Sequence, residues 1–180
     1  MKDNNDRLQL IRSRAELALA LSEAQADDDD RDEIRQLAEA LEIVIDSIPG
    51  NDGTIFGLDC RAAIAEARGE WRIASDVRRA QIGRMMVAVE AGGPTGITSL
   101  GRALLMKIDE AEIDDNLDRY EPDEIAAEWR MLIIDLWQAG SYSEALLEIA
   151  KIEKFVLQHG IAMCDISEWK DAILEDQMNS

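Results

Sequence analysis

The stretch Ala127–Val156, AEWRMLIIDLWQAGSYSEALLEIAKIEKFV, decides the fold. Ahead of Gly140, Ile125, Trp129, Leu132, Ile133 and Leu136 recur at three- and four-residue intervals, the spacing of one buried face of an α-helix. Glu121-Pro122-Asp123-Glu124 opens that helix, since a proline fits the first turn and the acids oppose the positive end of the helix dipole. Gly140 stops it, and Ser141-Tyr142-Ser143-Glu144 has capping-box spacing for a second helix that closes at His159-Gly160. Ser141 and Glu144 are expected to satisfy each other's free N–H groups.

The same punctuation continues outward. Leu8, Ile11, Ala15, Ala18 and Ser22 mark a face of a first helix, followed by Asp27-Asp28-Asp29-Asp30 as loop and cap. Ile34, Leu37, Leu41, Val44 and Ile48 mark a second, ended by Pro49-Gly50-Asn51-Asp52-Gly53. A third helix is expected over 54–68 and a fourth over 70–91, the latter with Trp71, Ala74, Val77, Gln81, Met85 and Val89 on one side. Gly92-Gly93-Pro94-Thr95-Gly96 cannot continue a helix. A fifth helix begins near Thr98 or Ser99 with Leu100, Leu104, Ile108 and Ala111, and a last one carries Ile166, Trp169 and Ile173 behind Asp165 and Glu168. No stretch alternates with period two long enough for a strand. The expectation is an all-α chain of about eight helices in antiparallel hairpins, forming one domain over 1–180 with possible halves 1–91 and 97–180.

Composition sets limits on partners. The 180 residues carry 38 Asp and Glu against 19 Lys and Arg, a formal charge of −19. Such a field repels phosphate backbones and anionic lipid heads, which argues against nucleic-acid and membrane partners and for a neutral or basic protein surface. A halophilic or simply well-solvated protein would show the same charge. No stretch reaches the roughly 18 apolar residues of a membrane span. Cys60 and Cys164 lack C-x-x-C spacing, so two free thiols in a reducing cytoplasm are expected.

The quoted stretch resembles a tetratricopeptide repeat, a helix-turn-helix unit of roughly 34 residues. Trp129, Leu132, Gly140, Tyr142 and Ala145 stand in that family's order and spacing, and Ala62, Ala65, Gly69, Trp71 and Ala74 form a second, sparser copy. Ile133 and Ile152 occupy positions where the family prefers small residues, and Ala74 and Ala145 are 71 residues apart, out of phase with two standard repeats. The resemblance implies an irregular array of hairpins, or a related bundle, whose first helices line a groove for extended peptides. On that groove it places Arg130, Ile134 and Trp137, with Phe56, Asp59 and Ala63 as the matching positions of the sparser copy. The second face made by Arg130, Ile134 and Trp137 needs a cover, either another helix of the chain or a ligand.

Other chemistries are set against this. Asp114-Asp115-Asn116-Leu117-Asp118 and Asp28-Asp29-Asp30-Arg31-Asp32 both spell DDxxD, similar to the magnesium-diphosphate motif of isoprenoid synthases. The paired arginines expected after the first such motif are missing from both, and solvated acids at helix ends explain both strings. His159 stands alone, at a helix end where an imidazolium complements the dipole. Arg61, Arg68, Arg72, Arg78, Arg79 and Arg84 gather in one region, where surface pairs with Glu66, Glu70 and Asp76 are expected; the minority reading is a dock for an acidic partner, including a second copy of the chain. No string for a nucleophile elbow, a P-loop or a dinucleotide fold occurs. The leading expectation is a non-catalytic, cofactor-free module that binds a protein or peptide, as an adaptor, chaperone or immunity-type protein. The alternatives are a Mg-dependent enzyme acting on a diphosphate and an acidic mimic that neutralises a basic partner.

Overall fold

The computed structural model describes residues 2–23, 28–48, 50, 54–91, 122–162 and 166–179. Among them are seven helices and no strand: α1 (Lys2–Glu23), α2 (Asp28–Asp46), α3 (Ile55–Ala67), α4 (Trp71–Ala91), α5 (Pro122–Gln138), α6 (Tyr142–His159) and α7 (Ile166–Asn179). The expected helix after Thr98, the Gly92–Gly96 break, the acidic run Asp114–Asp118, Cys164 and Asp165 lie outside the described residues.

Each helix packs on the one before it, and α1 also reaches α3. α4 packs directly on α5, although a long stretch of sequence separates Ala91 from Pro122. The apolar side chains form two clusters. The first joins Leu10, Ile11 and Leu17 of α1 to Ile34, Leu41 and Ile45 of α2 and to Phe56, Cys60 and Ile64 of α3. The second joins Ile82 and Met85 of α4 to Ile125, Leu132, Ile133 and Leu136 of α5, Ile149 and Ile152 of α6, and Ile173 of α7. The segments on either side of the Gly/Pro break therefore share a core. Each fully buried aliphatic side chain contributes about 1.5–3 kcal/mol, and the entropy of ordering the chain offsets most of that sum.

The stripe read for α1 is rotated in the structure. Leu10, Ile11, Arg14 and Leu17 are the buried positions. The difference arises because an arginine stands on the inner face, and apolar patterning passes over it.

The hairpins α3–α4 and α5–α6 share one turn. Gly69 and Gly140 sit at φ +71 and +68, the left-handed region that glycine enters without a Cβ clash. In the first turn Glu70 N donates to Ala65 O at 2.9 Å and Gly69 N to Glu66 O at 2.9 Å. In the second Ser141 N donates to Leu136 O at 2.8 Å and Gly140 N to Trp137 O at 2.9 Å. Both are Schellman closures, which satisfy two otherwise free carbonyls at a helix end. Just beyond each turn, Ala74 and Ala145 are fully buried. A methyl side chain there lets the paired helices approach closely.

Candidate functional site: the outer side of α5 and a buried charge seam

Ile125, Trp129, Leu132, Ile133 and Leu136 are all buried, as the periodicity of the quoted stretch requires. Trp129 is held further by its indole N–H, which donates to Glu148 Oε2 at 2.9 Å, and by a tilted contact with Phe155 at 5.6 Å between ring centroids. Arg130, Ile134 and Trp137 are half-buried on a second side of α5. Part of their cover comes from the chain itself. The Arg130 guanidinium lies 5.0 Å from the Trp169 ring centroid, and Trp137 Nε1 donates to Asp176 Oδ2 at 2.7 Å. Both partners belong to α7, whose buried residues are Ile166 and Ile173. Beside this contact a cleft of about 320 Å³ is lined by Trp137, Gln138, Gly140, Tyr142 and Asp176.

Phe56 and Asp59, expected on the same groove, are interior. Phe56 is 3% exposed within the first apolar cluster, and Asp59 is 2% exposed, with Ala63 also buried. α3 has no groove face to offer, because α1 and α2 pack on it as well as α4. Asp59 instead accepts from Arg14 Nε at 2.9 Å and from Nη2 at 3.2 Å.

The capping box read at Ser141 does not form. Ser141 is the N-cap residue, but its hydroxyl makes no capping bond and accepts from Arg72 Nη1 at 3.3 Å. Glu144 receives Arg72 Nη1 at 2.6 Å and Arg79 Nη2 at 3.2 Å. Charge-assisted bonds from two guanidiniums on α4 are stronger than the neutral amide bonds of a cap, so the side chains turn toward α4. The arginines hold the Glu144 carboxyl below its ordinary pKa.

Several arginines do form surface pairs: Arg61 with Asp46, Arg68 with Glu42, and Arg72 and Arg79 with Asp76. Arg78 does not. It is 1% exposed and joins three carboxylates: Nε to Asp135 Oδ2 at 3.0 Å, Nη1 to Glu128 Oε2 at 2.6 Å, and Nη2 to Glu66 Oε1. A guanidinium is the side chain able to do this, since its planar fork points donors in several directions at once. Burial opposes its charge, but Glu66, Glu128 and Asp135 outweigh that and raise its pKa. Burial raises the carboxyls of Glu128 and Asp135 to about 7, with Arg78 pulling the other way.

This seam was not legible as a site. The sequence signal was present: Arg14, Asp59, Arg78, Glu128 and Asp135 each fall in register with buried apolar residues of their own helix.

His159 closes α6, its ring tilted at 44° to that of Phe155 with the centroids 4.5 Å apart, and Gly160 follows at φ +68. Cys60 is a free, buried thiol, and burial next to Asp59 pushes its pKa up, so it is a poor nucleophile. Among the described residues, no group of three or more His, Cys, Asp or Glu is arranged to hold a metal ion, and no helix is long and apolar enough to cross a membrane.

No family model matches this chain, no curated protein matches it, and no solved structure matches it.

Proposed function

We propose that the chain is a non-catalytic helical scaffold that binds a protein or peptide partner on the outer side of α5, through Arg130, Ile134 and Trp137. The observation that carries this reading is the way α7 occupies that side. An aromatic ring lies on Arg130 and a carboxylate accepts from the Trp137 indole. A surface that engages an amphipathic helix from its own chain has the chemistry to engage one from another. Aromatic and arginine side chains are also the types that dominate binding energy at interfaces. The common turn of the two hairpins supports the resemblance to tetratricopeptide repeats, and an adaptor, chaperone or immunity-type role fits that resemblance. The −19 charge favours a neutral or basic partner.

The test is a pull-down from the native lysate with the wild-type chain and with Arg130→Ala and Trp137→Ala variants of unchanged helicity. A retained protein that both variants lose supports the reading. Retention of nothing, or the same retention by both variants, overturns it.

A further inference from the structure

Two buried ion groups, the Arg14–Asp59 pair and Arg78 with its three carboxylates, lie near enough in the interior to act on each other's charge. α1 supplies Arg14, α3 supplies Asp59 and Glu66, α4 supplies Arg78, and α5 supplies Glu128 and Asp135. Five of them are among the buried residues, and the Glu66 side chain is 9% exposed. The Cys60 thiol lies beside Asp59 and Arg14, and burial keeps it neutral. Fully ionised, the group would set four carboxylates against two guanidiniums. A guanidinium does not give up its proton in a protein, so the imbalance can be relieved only by protonating carboxyls. The geometry offers a place. Asp135 Oδ2 accepts from Arg78 Nε, while Asp135 Oδ1 is buried with no hydrogen-bond partner among the described residues. A proton on Oδ1 neutralises the acid without displacing the bond to Arg78.

We propose that this seam is a proton-controlled joint: a proton held by the Asp135 or the Glu128 carboxyl completes it, and release of that proton loosens α5 from α4. Burial raises the carboxyls of both residues above their ordinary values, the direction the geometry requires. The sign follows from linkage. A carboxyl whose pKa is raised by folding binds its proton more tightly in the folded chain, so its stabilisation is complete in acid and is lost as pH rises through about 7. Between the unfolded and folded pKa values the folding constant falls up to about tenfold per pH unit for each such proton.

Two other sources of pH dependence can be separated. Repulsion among surface charges is screened when the Debye length falls to about 3 Å in about 1 M salt, whereas a buried seam is not. His159, the only histidine, is removed by His159→Gln. The experiment is urea unfolding of the full chain from about pH 5 to about pH 8.5 in about 1 M sodium chloride, a range that spans the expected loss.

The wild type and His159→Gln should lose stability up to neutral pH and then level off, while Asp135→Asn and Glu128→Gln should show a shallower slope. A wild-type slope that vanishes in salt, or equal slopes in all four chains, overturns the proposal. Should the two carboxyl variants fail to fold, infrared spectroscopy of the wild type decides. A buried protonated-carboxyl stretch present at about pH 6 and absent at about pH 8.5 supports the joint, and no such band at either pH overturns it.

Discussion

Arg78 Nη1 and Glu128 Oε2 stand 2.6 Å apart inside the protein, although the two residues are 50 positions apart in sequence. That contact, with Asp135 and Glu66 on the same guanidinium, makes α4 the element to which both neighbouring helices are tied. Replacing Arg78 with Met should destabilise the chain by about 3–5 kcal/mol or more, because it leaves carboxylates buried and uncompensated. Urea unfolding at neutral pH measures this. Arg78→Lys should recover only part of the loss, since the three donors of an ammonium radiate from one nitrogen and do not span the width over which the guanidinium meets its three acids.

Arg14 and Asp59 form a second buried pair, and here the prediction concerns coupling. Arg14→Met or Asp59→Leu alone should each destabilise by about 3–5 kcal/mol, while the double variant should be closer to wild type than either single one. A double-mutant cycle in which the two losses simply add would show that the pair is not coupled.

Gly69 and Gly140 should respond alike to substitution. Neither has backbone or core atoms crowding the position of an added Cβ, so strain at positive φ is the whole cost. Gly69→Ala and Gly140→Ala should each cost about 1–2 kcal/mol, read from thermal unfolding. A glycine in an ordinary helical conformation, such as Gly83, should show no loss and a small gain on the same change.

Ile173 anchors α7 in the second cluster, and Ile173→Ala should weaken the docking of that helix by about 2–5 kcal/mol. A labelled synthetic peptide of Ile166–Asn179 should then bind the Ile173→Ala chain and not the wild type, by fluorescence anisotropy. Adding Trp137→Ala to the Ile173→Ala chain should reduce that binding.

Acid should act on a different set of groups. The guanidinium of Arg68 holds the Glu42 carboxyl below its ordinary pKa, and Arg72 does the same for Glu144. Their contribution is present above the unfolded carboxyl pKa and is lost as pH falls through the lowered folded values. Thermal midpoints measured against pH should therefore decline on the acid side, with the decline reduced in Glu42→Gln and Glu144→Gln and reduced also by salt.

The seven described helices, their order and most of their hairpin ends were legible because each rests on local signals: periodicity, Pro122 in a first turn, and Gly69, Gly140 and Gly160 after last turns. What was not legible depended on neighbours. A repeat analogy puts Phe56 and Asp59 on a groove, whereas the packing of α1 and α2 on α3 puts them inside. Ser141 and Glu144 had the spacing of a local cap, but Arg72 and Arg79 on α4 compete for both. Charge alone puts Arg78 at the surface, where most arginines lie. Only tertiary structure supplies the three acids that let it be buried.

The seam has a further consequence for how the chain can be taken apart. Its members come from α1, α3, α4 and α5, so neither hairpin contains a full complement of partners. Excising a hairpin, or shuffling it into another array, would strand an ion in oil. The hairpins are alike at their turns, yet they are not interchangeable modules.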